Sequence, residues 1–261
     1  MPRILTQHTL KPDVRRWTGI SAIAVAVLMS SEFVVKVAAV GSRPELSDES
    51  ALAAFTAKVA NASLTVIFID IFLMAALVVF LASLRQLITV ARHDLQWVAD
   101  LSYGSGLVFV AVTLVGDALD AGGALDTVGQ SPNGTVIRAL IEGHIVMFGS
   151  IGGMLTALVV AAAGYVTFAS TTLPRWTGWF AFAVAATNLL SVPAIFNGTS
   201  SKNLFSAGGP GVTATATFPF LAWVIVVGVV TIRGERHHRE RLAERVGHRT
   251  AESPVTRPSA V

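Results

Sequence analysis

The sequence predicts an all-α integral membrane bundle of six transmembrane helices with both termini cytoplasmic. Three observations lead there. Charged residues make up 13% of the 261 positions, against about 25% in an ordinary soluble domain. With a mean hydropathy of +0.65, most side chains need not face water. Six apolar stretches each reach the ~20 residues that cross a hydrocarbon core of ~30 Å at ~1.5 Å per residue. Basic residues gather on alternate connections between those stretches. Helices follow because backbone groups in lipid must be satisfied within their own segment.

The chain divides into a cytoplasmic N-terminal segment, 1–16, a six-helix transmembrane domain, 17–232, and a basic cytoplasmic tail, 233–261. The first span, 17–40, follows Arg15 and Arg16 and carries Glu32 and Lys36. A cleaved signal peptide would also have a basic start and small residues near Ala38 and Ala39. Its apolar core, however, is about 7–15 residues long and uncharged, so a retained span is the expectation. The second span covers 62–84 and the third 95–115. The fourth, 135–170, is long enough for an interfacial turn or a strong tilt. The fifth covers 176–196 and the sixth 212–232.

Orientation comes from the cations. A cytoplasmic N-terminus collects Arg3, Lys11, Arg15, Arg16, Arg85, Arg92, Arg175 and the seven tail arginines on one side, 14 of the 19 Lys and Arg. The positive-inside rule then places both termini in the cytoplasm of a cell-membrane protein. The outer loops become 41–61, 116–134 and 197–211, rich in Gly, Ser, Asn and Asp, with no apolar core of their own. The triplets NAS at 61 and NGT at 133 and 197 fit the glycan acceptor pattern, but loops of this composition match it by chance.

LPRWTGWFAFAVAATNLL, residues 173–190, starts with Pro174, suited to a helix start. Arg175 marks the cytoplasmic side, and Trp176 and Trp179 suit the membrane interface. The stretch resembles the short cytoplasmic turn and following span of actinobacterial multi-pass membrane proteins of unknown function, in which a Pro-Arg-Trp/Leu-Gly-Trp pattern recurs. The resemblance extends over the last half of the chain and implies no catalytic residues.

The absence of cysteine excludes disulfides, thiolate nucleophiles, iron–sulfur clusters and Cys-based zinc sites. HExxH, Walker A, Rossmann and GxSxG patterns are missing. The GSG at 104–106 reads as helix packing. His144 is the one histidine inside a span, so neither a metal-dependent hydrolase nor a paired-His haem site is expected. No cofactor is foreseen. The tail, RGERHHRERLAERVGHR, reads as a solvated helix able to rest on anionic lipid headgroups. Its glutamates and lack of aromatic residues argue against nucleic acid.

What remains is a set of polar residues within apolar spans. An ionisable side chain mid-span costs roughly 2.5–3.5 kcal/mol, so such groups face the bundle interior and find partners. The candidates are Glu32, Lys36, Asp70, Asp117, Arg138, Glu142, His144 and Asn188, most of them in the outer half. Asp70 and Glu142 lie about 12 and 10 Å from the outer ends. Arg138 and Glu142 share a helix face continued by Gly149, Gly153, Ala157 and Ala161. That small-residue stripe suits close helix packing and makes the fourth span the centre of the bundle. Glu142 then points toward protein, with His144 about 200° away around the helix.

A functional reading gathers Asp70, Glu142 and His144 around an outward-opening cavity that binds a cation or relays protons. A structural reading pairs Glu32 with Lys36, Arg138 with Glu142, and Asp70 with a neighbouring donor. Two roles are thereby open. One is a small transporter or proton/cation-coupled carrier. The other is a non-catalytic membrane partner or scaffold that binds another membrane protein through the stripe or the tail. No inverted repeat and no broken helix apart from Pro193 favours the carrier.

Overall fold

The computed structural model describes residues 12–128, 132–170 and 173–251, with the backbone alone at 12, 13, 91 and 235–251. Their regular structure is helical, with no strand among the described residues, and six helices are long and apolar enough to cross a membrane. The chain is a multi-pass helical membrane protein, with apolar side chains such as Val34, Phe72, Val108 and Leu190 exposed to lipid along its flanks.

The first span is α1 (Pro12–Val35) extended by a π turn, Lys36–Val40, and ended by Gly41 at φ 73°, a left-handed conformation natural to glycine. The second is α2 (Glu49–Ala91) and the third α3 (Gln96–Asp126). The fourth joins α4 (Gly134–Val146) to α5 (Gly152–Ala169) through a π turn, Met147–Ile151. The fifth is α6 (Arg175–Ser191), tightening into a 3-10 turn, Val192–Asn197. The sixth runs from a single turn, α7 (Pro210–Val212), through a π turn, Thr213–Thr217, into α8 (Phe218–Ala251). Helix α8 carries the backbone into the basic tail; residues 252–261 lie outside the described residues.

Neighbours in sequence are neighbours in space, and the sixth span closes the ring by packing on the first. The fourth span is the most buried of the six, yet it is one stave of the ring, lying chiefly between the third and fifth rather than at a centre. Many hydroxyls within the spans bond back to their own helix, as Thr18 does to the Val14 carbonyl at 2.8 Å and Thr231 to Val227 at 2.7 Å. This satisfies them without water. Between spans, Ser102 donates to the Val159 carbonyl at 3.0 Å.

The expected outer loops need correction. Residues 49–61 belong to α2, whose 43 residues extend about 64 Å, and 116–126 belong to α3. The α2 extension, the loop before it and α4 enclose a small apolar core of Leu46, Leu52, Ala53, Ile137 and Ile141. The Ala-rich stretch ALAAFTAKVA favours helix strongly, and Asp48 caps it by accepting from the Ala51 N–H at 3.0 Å. That bond holds the Asp48 carboxylate below its usual range. The cap therefore contributes at neutral pH, and its contribution is lost as pH falls through the lowered folded-state value. Asp48→Ala should speed amide exchange over 49–53 at pH 7, and the difference from wild type should vanish in acid.

The other two triplet asparagines at loop ends have structural uses. Asn133 caps α4 by accepting from Thr135 and Val136 N–H, and Asn197 donates to the Phe205 carbonyl.

Close approach of backbones fixes the fourth span against the fifth. A Cβ added at Gly164 would lie 3.0 Å from Ala181 Cβ and 3.2 Å from the Gly178 carbonyl. Gly164→Leu should cost about 1–3 kcal/mol by overpacking, read as a lower denaturation midpoint in detergent. Gly104→Leu, where the added Cβ meets nothing within 4 Å, should cost far less.

Candidate functional site

All six spans meet around one cavity of about 260 Å³ at the end of the bundle opposite the termini. Six of the eight polar residues singled out in the sequence line it: Glu32, Lys36, Asp70, Asp117, His144 and Asn188. Asp70, Asp117 and Asn188 are nearly inaccessible, at 4%, 6% and 1% exposure.

The second and third spans bring the Asp70 and Asp117 carboxyls together on the cavity wall. His144, stacked parallel to Phe148 at 6.0 Å, sets its Nδ1 4.0 Å from Asp117 Oδ1. On the fifth span, Asn188 donates through Nδ2 to the Val184 carbonyl at 2.9 Å and reaches the Ala216 carbonyl in the π turn of the sixth at 3.5 Å. Among the described residues, Asp117 Oδ2, Asn188 Oδ1 and His144 Nδ1 are buried without a hydrogen-bond partner. Buried polar groups are normally hydrogen-bonded, so these three atoms leave their hydrogen bonds to whatever fills the cavity.

The remaining two residues stand elsewhere. Glu142 accepts from Arg138 Nε at 3.0 Å, and Arg138 also lies 4.0 Å from Glu49. The trio is part-exposed and ties α4 to the start of α2. Thus Arg138 pairs with Glu142 as expected, but Glu142 is not part of an acidic cluster with Asp70 and His144. Positions 142 and 144 are ~200° apart on a helix, so when His144 faces the cavity, Glu142 cannot.

The stripe needs a similar correction. Gly149, Gly153 and Ala157 are buried and Ala161 half-buried, but they do not continue the Arg138–Glu142 face. The π turn at 147–151 inserts extra backbone and rotates everything after it. Gly149 packs toward Ala207 and Val212, and Gly153 toward Ser191 and the Asn188 carbonyl. The stripe is used inside the chain.

Glu32 and Lys36 form no ion pair within 4 Å, although both line the cavity. Lys36 opens the terminal π turn and is exposed, and a hydrated ammonium gains little from one surface partner. Asp70, expected beside a donor, instead faces another acid. Toward the termini, Asp100 pairs with Arg85.

Several site residues escaped the sequence reading. Arg43 and Asp120 form an ion pair at 3.1 Å on the cavity wall. Asp117 and Asp120 are three apart, a spacing that shares a helix face once the third helix is known to reach that far. The segment 199–209 roofs the cavity, held by Ser200 and Lys202 on Glu45 at 3.2 and 3.8 Å. Phe109, Phe148 and Phe220 supply aromatic lining. Phe220 stacks on Trp223 with centroids 5.8 Å apart, and Trp223 meets Phe80 edge-on at 5.9 Å. Below them an apolar core of Leu77, Leu81, Val160 and Val184 closes the bundle.

Fold and site together define a six-span membrane protein with one acid-lined cavity that is sealed toward the termini by an aromatic floor. No protein-family model, curated protein or solved structure matches this chain.

Proposed function

We propose that the protein is a small proton- or cation-coupled carrier of the cell membrane, with both termini cytoplasmic and its cavity facing outward. The observation that carries this reading is the convergence of all six spans on two buried carboxyls, Asp70 and Asp117, with Asp117 Oδ2 lacking a protein partner among the described residues. Two neighbouring carboxylates held out of water repel each other, and either a proton or a bound cation offsets that repulsion. A bound cation would replace that proton, and exchange of one for the other is the elementary step of a coupled carrier. The three π turns add support, because helix irregularity near a polar cavity is a recurrent feature of binding sites in membrane proteins.

Orientation is supported by Arg85, Arg92 and Arg175 at the termini end of the spans. Exposed Trp17, Trp97, Trp176 and Trp179 at the same end suit an interfacial belt. The tail is proposed to rest on anionic headgroups. It is also the segment left for a membrane protein partner, since the stripe is occupied. Kinship with the actinobacterial multi-pass proteins that 173–190 resemble belongs to the same proposal.

The test is flux in acid-loaded proteoliposomes carrying a pH-sensitive dye. Adding sodium, potassium or small organic ammonium salts outside should dissipate the pH gradient for at least one of them with wild-type protein. Asp70→Asn should remove that dissipation with an unchanged melting curve. Equal rates in both proteins, or no dissipation by any cation, would refute the carrier.

A further inference from the structure

We infer that the cavity takes a small organic ammonium ion, a charged amine on an apolar body, rather than an inorganic cation or an anion; this rests on the carrier reading above and names the class of its cargo.

The buried part of the wall is rich in acceptors. Asp117 Oδ2 and Asn188 Oδ1 both lack donors among the described residues, and both are acceptors. The Asn188 assignment follows from its Nδ2, which already donates to Val184. Asp70 supplies a third acceptor beside Asp117. A primary ammonium has three donors and no acceptor, which matches that wall. Four carboxyls and two cationic side chains line the cavity, and one of those cations, Arg43, is engaged with Asp120. Among the described residues, an anion would meet Lys36 as the one cation not engaged with Asp120, against the Glu32, Asp70 and Asp117 carboxyls.

A multivalent metal ion is poorly matched by the ligand geometry. Bare metal cations need several oxygens or imidazoles converging at about 2.0–2.6 Å. Among the described residues, no three His, Asp or Glu side chains are placed to hold a metal ion. Much of the remaining lining is apolar: Phe109, Phe148 and Phe220, with Met29, Val66 and Ile67. Such a surface gives a metal nothing. An ammonium gains from aromatic rings and its carbon body from leaving water. At about 260 Å³, the space lies just under the ~300–1,000 Å³ of drug-sized sites and suits a molecule with one ring.

Titration calorimetry on the full chain in lipid nanodiscs tests this, with phenethylammonium, 2-phenylethanol, phenylacetate and potassium chloride as probes and empty nanodiscs as the blank. Saturable heat is expected from phenethylammonium alone. Asp117→Asn should weaken it about tenfold or more, the worth of one charge-assisted hydrogen bond, and Asp117→Glu should keep part of it. Where Asp117→Asn does not fold, Asn188→Leu removes the other free acceptor and should also weaken binding. Equal heats from the alcohol, stronger binding of phenylacetate or potassium, or unchanged affinity in the folded variants would overturn the inference. Phenethylammonium bound in nanodiscs but never accumulated by proteoliposomes would keep the ligand class and defeat the carrier. Proton-coupled flux of an inorganic cation, indifferent to phenethylammonium, would do the reverse.

Discussion

Trp223→Ala is expected to lower stability by about 3–5 kcal/mol, the largest loss from any one side chain in the bundle. Trp223 is 2% exposed and touches the two layers on which the site depends. On one side it stacks with Phe220, part of the cavity lining; on the other it meets Phe80. Removing the indole leaves a void that the neighbours fill only partly, because Leu84, Leu87 and Val166 already border a small gap beside it. The measurement is denaturation in detergent. Trp97→Ala is the control, since Trp97 is 66% exposed and should cost much less. A similar loss at both positions would mean that Trp223 is not the keystone of the floor.

The second large effect concerns the paired acids. Asp70→Asn and Asp117→Asn should each reduce proton-coupled flux by about 10- to 100-fold, and the double variant should be no worse than the weaker single. Their carboxyls lie against each other, and residues that act as a unit are strongly non-additive. Folding should survive, because an amide of nearly the same shape replaces a carboxyl held out of water. Multiplicative losses in the double variant would show that the two acids act at separate points. A matching loss of folded protein would make the defect structural.

Membrane residence and the number of spans were legible because they depend on solvent alone: a 20-residue apolar run leaves the chain few alternatives. The ends of the helices were not. ALAAFTAKVA continues α2 without being apolar enough to register as membrane, and only the cap at Asp48 with the alanine content announces it. The polar set could be read because charges in apolar runs are costly, and six of its members do meet.

Which neighbour each would choose depended on rotation about the helix axes. The π turn at 147–151 breaks the face that seemed to join Glu142 to Gly149. Nothing in MFGSI marks that extra backbone, since the same residues would form an ordinary α turn. The pairing of Asp70 with Asp117 was equally hidden, because it arises from two antiparallel spans in contact.

The most direct test of the central claim, an aqueous cavity formed within the membrane by all six spans, is cysteine accessibility. The chain has no cysteine of its own, so single replacements report without background. Thr213→Cys lies on the cavity wall, Asp70→Cys deeper within it, and Leu77→Cys in the apolar core beneath. A membrane-impermeant thiol reagent applied to sealed cells should modify position 213 quickly, position 70 more slowly and position 77 not at all. Position 213 inert from outside but reactive in inverted vesicles, or position 77 labelled as fast as 213, would contradict the account.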